Sequence, residues 1–172
     1  MDVEKCQLRR YPAGVLAKAA GPVERIDDSV RRVVEKMTDV MIAAGGVGLA
    51  GPQIGVPLRI FIVSLDSSRE AVRAYINPDV SPEGELEPSE EGCLSVPGVS
   101  AKVRRYSRCR VTATGLDGKR FSETAEGLHA RVLQHEADHI DGITIVSRMG
   151  EAARIAHRRR LRKLVEAYDG RD

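Results

Sequence analysis

Tryptophan is absent from this 172-residue chain, and the other aromatics are few, with 4 Tyr and 2 Phe. The core must therefore come mostly from Val, Leu, Ile, Ala and Met. Cysteine is also scarce. Cys6, Cys93 and Cys109 form an odd, sparse set, which argues against a disulfide framework and makes a reducing cytoplasm the default compartment. Long apolar runs are missing, so no membrane span is expected, and the N-terminus lacks the basic-then-apolar build of a secretion signal. Charge of one sign is not in excess either. The 27 Lys and Arg against 25 Asp and Glu leave +2, too little to call for a DNA partner.

What is present suits one soluble domain over 1–172, with 42% hydrophobic and 30% charged residues. Residues 1–26 read as an irregular lead-in broken by Pro12, Gly14, Gly21 and Pro22. From Ile26 to Ala44 apolar residues recur at three- and four-residue spacing, which predicts an amphipathic helix over about 27–44. Asp27, Asp28 or Ser29 can cap its start, and Gly45-Gly46 stops it.

Leu58–Val63 reads as a buried strand, and Ala74–Ile76 as a second that ends at Asn77-Pro78. Residues 81–92 suggest a strand pair with an exposed loop. A hairpin is expected over Arg108–Leu116 and Lys119–Ser122, around Asp117-Gly118. Helices are expected at about 124–139 and 150–168. The order predicts an α+β fold, with mostly antiparallel strands packed around a central helix and further helices toward the two ends.

That central helix carries Gln134-His135-Glu136-Ala137-Asp138-His139. Residues i and i+4 share a helix face, so His135 and His139 can offer two imidazole nitrogens to one metal. Glu136 follows the first of them, the HExxH arrangement in which a carboxylate moves the proton of a metal-bound water. Two histidines leave a metal under-coordinated. The metzincin pattern needs a third His six residues on, where Ile145 stands. Glu166 has a thermolysin-like separation but sits in a very polar terminal stretch. Cys93, between Gly92 and the turn-prone Pro97-Gly98, is the better donor, because a thiolate with two imidazoles leaves a fourth position for water. Cys6 and Cys109 read as small buried hydrophobes.

Three stretches then occur in order: Gly46-Val47-Gly48-Leu49-Ala50-Gly51-Pro52-Gln53, Glu91-Gly92-Cys93-Leu94-Ser95, and the segment from Gln134 to His139. Together they resemble the three motifs of the peptide deformylases, and the resemblance runs from about residue 8 to about 165. It implies a metallohydrolase that removes the formyl group from the N-terminal formylmethionine of newly made proteins. Cys93, His135 and His139 would hold Fe²⁺, with Zn²⁺, Ni²⁺ or Co²⁺ able to occupy the site. Glu136 would act as general base and then general acid. The Gln53 side-chain amide and the Leu94 backbone N–H would steady the oxyanion. The family binds its peptide as an added strand, and Val47, Gly48, Glu91, Leu128 and Val132 map to that region. The helix face of Leu128 and Val132 would serve equally well as core.

Three positions depart from the family pattern. Gly51 stands where Ala is common and is expected to loosen the turn that holds Gln53. Ser100 replaces an Arg that contacts the substrate backbone in many members. Arg131 occupies a helix position that is apolar in some, and is expected to rim the pocket. Asp138 is expected to pair with Arg105 as a brace for the metal-bearing helix.

The run Arg158, Arg159, Arg160, Arg162, Lys163 reads first as a solvated face and, more sharply, as a ribosome contact. A monomer is expected. Two rival readings are a metallopeptidase that cuts internal bonds and a non-catalytic ribosome-associated relative; retention of Cys93, Gln53 and Glu136 argues against the second.

Overall fold

The computed structural model describes residues 3–170. Helix α1 (Asp28–Ala43) starts where Asp27 accepts hydrogen bonds from the backbone N–H groups of Ser29 and Val30, an N-cap that satisfies two of the helix's orphan donors. Its buried face presents Val30, Val33, Val34, Met37 and Met41 to the core, the spacing read from the sequence.

A five-stranded antiparallel sheet follows, in the order β1 (Gly48–Ala50), β2 (Ile60–Val63), β3 (Arg73–Gly92), β4 (Ser100–Thr114) and β5 (Arg120–Glu126). Helix α2 (Gly127–Ile140) leaves β5 directly and packs on the sheet through Ala130, Val132, Leu133 and Ile140. A one-turn α3 (Ile145–Arg148) and the terminal α4 (Glu151–Glu166) complete the chain. The expected α+β class holds, with α2 against antiparallel strands. Three of the six aromatics gather at one place, where Tyr75 lies 4.9 Å from Phe61 and 5.5 Å from Phe121 between ring centroids.

Two expectations about the strands need correction. Asn77-Pro78 does not end a strand; β3 passes through it with an irregularity between Ile76 and Asp79. Asn77 takes the left-handed conformation at φ +48° and bonds both backbone groups of Val23 with its amide, so the kink is braced from outside the sheet. Beyond Ile76, among the described residues, β3 pairs with β4 alone. A strand with one free edge accommodates Pro82 and Pro88. Residues 81–92 thus belong to one long strand that delivers Glu91 and Gly92 to the foot of α2.

Candidate metal centre

Helix α2 sets the site. Its i,i+4 spacing brings His135 Nε2 and His139 Nε2 to 3.2 Å of each other. The turn after β3 adds Cys93, whose Sγ lies 3.3 Å from His139 Nε2. All three donor atoms fall within 4.8 Å of one another. Two lone-pair nitrogens and a sulfur crowded to this degree repel unless a positive charge lies between them.

The electrostatics fit a cation there. Burial opposes charge on His135, but its hydrogen bonds with Cys93 and Glu91 outweigh burial and push its pKa well above the usual value, so the ring attracts a proton that a bound metal ion would displace. Burial pushes His139 well below its usual value, which leaves it neutral as a ligand must be. Cys93, His135 and His139 together form a donor set that could hold a metal ion. The other two cysteines lie in the core as expected, and burial pushes Cys109 up to about 11.

Behind the imidazoles stands a buried polar network. Glu91 Oε2 lies 3.0 Å from His135 Nδ1, which fixes that ring so that Nε2 faces Cys93 and His139. Both oxygens of Glu91 also meet the Arg105 guanidinium at 3.0 Å. Burial alone would raise the Glu91 carboxyl, yet the bonds from His135 and Arg105 prevail and hold it at about 2. The expected pairing of Asp138 with Arg105 is present, with Arg105 Nη1 2.6 Å from Asp138 Oδ2. Sequence reading missed the second partner. Arg148 on α3 donates to the same carboxylate from Nε at 2.9 Å and from Nη2 at 2.5 Å. No local pattern marks Arg148, since its contact spans the turn between α2 and α3.

Glu136 projects from α2 toward β1. A Cβ on Gly48 would stand 2.5 Å from Glu136 Oε1 and 2.9 Å from Val132 Cγ1, so only glycine lets strand and carboxylate approach this closely. Burial pushes the Glu136 pKa up to about 7. Glu136 Oε2 is a buried oxygen with no protein hydrogen bond among the described residues. Gln53 faces the thiol. Its Oε1 accepts from the Ala50 N–H at 2.8 Å, which turns Nε2 toward Cys93 Sγ at 3.6 Å and Ser95 Oγ at 3.2 Å.

Gly51 behaves differently from the expectation of a loosened turn. It is buried, and an added methyl would meet the carbonyl oxygens of Val56 at 2.8 Å and Leu58 at 2.9 Å. The glycine allows a tight backbone approach under Gln53, and looseness is not its consequence.

A cleft of about 600 Å³ opens over these groups. Val47, Gly48, Glu91, Leu94, Leu128 and Val132 all border it, together with Gln53, Cys93, His135 and Glu136. Leu128 is 49% exposed, whereas Val132 is buried. The face they share therefore serves cleft and core at once. Arg131 and Ser100 lie on the rim, as does His157 from α4, which the sequence did not single out.

The comparisons agree with this geometry. The family model for polypeptide deformylase matches residues 5–154. The chain belongs to the peptide deformylase family. The peptide deformylase of Thermotoga neapolitana is 37% identical over 167 residues, covering 95% of this chain and 99% of that protein. The one from Pseudomonas aeruginosa is 39% identical over 154 residues, covering 89% and 92%. Among solved structures, a peptide deformylase from Legionella pneumophila superposes with a TM-score of 0.88 at 38% identity, covering 94% of this chain and 95% of that one. One from Synechococcus elongatus in complex with actinonin gives 0.81 at 33% identity, with 94% and 84% covered.

Proposed function

We propose that this peptide deformylase hydrolyses the formyl amide of N-terminal formylmethionine on newly made proteins and releases formate. The observation that carries the reading is the meeting of Cys93, His135 and His139 beside the buried Glu136 carboxylate at the floor of a cleft. These three residues would hold Fe²⁺, with Zn²⁺, Ni²⁺ or Co²⁺ as substitutes. A divalent ion there supplies a lowered pKa for its water and a Lewis acid for the formyl oxygen.

The protein's own groups do the rest. Glu136, whose pKa near 7 suits proton traffic at neutral pH, accepts the proton of the attacking water and passes it to the departing amine. The Gln53 amide, aimed by the Ala50 N–H, donates to the oxyanion together with the Leu94 backbone N–H. Glu91 keeps His135 oriented, and Arg105 keeps Glu91 ionised. The peptide lies as an added strand beside Val47 and Gly48 on one side and Glu91 and Gly92 on the other. Leu128 and Val132 receive the methionine side chain, and Arg131 edges the mouth.

The enzyme works in the cytoplasm as a monomer, and no helix among the described residues is long and apolar enough to cross a membrane. The outward residues of α4, including Arg158, Arg159 and Arg162, are exposed and offer a contact to the ribosome, where formylated chains emerge. The test uses protein purified without oxygen and loaded with Fe²⁺ or Ni²⁺, given a formylated and an unformylated Met tripeptide. Formate from the first and no cleavage of the second supports the reading. Cleavage of internal bonds in the second would replace it with a metallopeptidase.

A further inference from the structure

Of the side chains that border the cleft, His157 alone comes from α4, and it answers a gap left by Ser100. Ser100 carries no charge to offer a peptide, and its hydroxyl is committed to Glu90 Oε1 at 2.8 Å. His157 Nε2 lies 2.7 Å from the Ser100 carbonyl oxygen, so Nε2 carries the proton and donates. One turn along the same helix face, Arg160 Nε donates to the Pro97 carbonyl at 2.8 Å. Its guanidinium lies so close over Gly98 that a Cβ there would come within 2.9 Å of Nε.

Two residues three apart on α4 thus hold two carbonyls of the segment that leads from Cys93 into β4. The apolar attachment below them is modest. No residue of α4 is fully buried, and Ala153, Leu161 and Leu164 pack only in part against the cluster that includes Val96 and Val99. Val96 and Val99 anchor the segment in the core and Arg154 ties α4 to the carbonyls of Val146 and Ser147, while His157 and Arg160 supply the direct polar link between helix and segment.

We propose that α4 is a working wall of the substrate cleft, in which His157 positions the 97–100 segment and faces the peptide beyond its formylated residue. The proposal rests on the deformylase reading, which places the reacting end over Glu136 and Cys93 and directs the rest of the peptide toward the rim. His157 is a positioning residue that sets affinity for longer peptides and does not touch the reacting atoms.

Formate release from formyl-Met-Ala and from formyl-Met-Ala-Ser-Ala tests this in the full-length, metal-loaded enzyme. His157→Ala should raise KM for the tetrapeptide roughly two- to tenfold, the range of one hydrogen bond, and raise it several times less for the dipeptide. Metal content and kcat should hold. His157→Gln, whose amide can still donate to Ser100, should recover most of the loss, and Arg159→Ala on the outer face should match wild type. Equal losses on both peptides, a loss carried in kcat or metal content, or no change in either substrate would each overturn the proposal. Should the wild type release no formate at all, the deformylase reading falls separately. Calorimetric titration of Met-Ala-Ser-Ala then still decides the wall, since equal affinity for wild type and His157→Ala would refute it.

Discussion

Helices α2 and α4 are of similar length, 14 and 16 residues, yet they are built on opposite principles. Eight residues of α2 are buried, among them Glu136, Asp138 and His139, whereas none of α4 is. Each helix also has an ion pair of the same chemical kind. Arg105 meets Glu91 and Asp138 with side chains 5%, 9% and 11% exposed, while Arg162 and Glu166 meet at 71% and 64%. Depth decides what such a pair does. A buried pair adds little over an apolar pair while it is intact, but breaking it leaves a charge without solvent or partner. An exposed pair is already solvated, so breaking it releases little. The protein places its buried polar network where imidazole orientation matters, and leaves exposed charge on the face of α4.

The contrast can be broken hardest at Arg105. Arg105→Met would leave Glu91 with His135 as its remaining partner and Asp138 with Arg148, and we expect a loss of about 3–5 kcal/mol in stability, chiefly from the buried Glu91 charge, read by denaturant unfolding, with metal retention falling as well. Glu91→Gln is gentler. It keeps the shape beside His135 and removes the charge, so metal affinity should drop about 10- to 100-fold, measured by competition with a chelator, with less effect on folding than Arg105→Met. Gly51→Ala sharpens the comparison from the side of packing. Its methyl would press on two backbone carbonyls, and a cost of about 1–3 kcal/mol is expected; unchanged stability would restore the view of Gly51 as a merely loose turn. Smallest of all, Arg162→Ala should change stability by no more than about 0.5 kcal/mol. Any ribosome attachment through α4 should weaken steeply with salt in a co-sedimentation series.

The two helices also differ in how far the sequence disclosed them. For α2, the i,i+4 histidines, the intervening Glu136 and a soft donor upstream were legible, because helix geometry and ligand chemistry are local rules. The bounds of α1 and its Asp27 cap were legible for the same reason. Legibility failed where a contact joined distant segments. Strand β1 has only three residues, too few to show a period. Asn77-Pro78 looked like a stop because nothing nearby shows that Val23 braces the kink. Arg148 and His157 were hidden in plain sight as surface polar residues, and only the turn after α2 and the docking of α4 give them partners. The pairing of Asp138 with Arg105 was reachable because a metal-bearing helix needs an outer polar brace and the strand offered a guanidinium.

The most direct test of the whole account is formate release by Glu136→Ala beside wild type, with both proteins loaded with the same metal and matched for metal content. The account predicts that the variant stays folded and metallated while its rate falls by about 10²- to 10⁴-fold. A metallated variant that releases formate as fast as wild type would contradict it, since the buried carboxylate beside the two imidazoles would then have no part in the reaction.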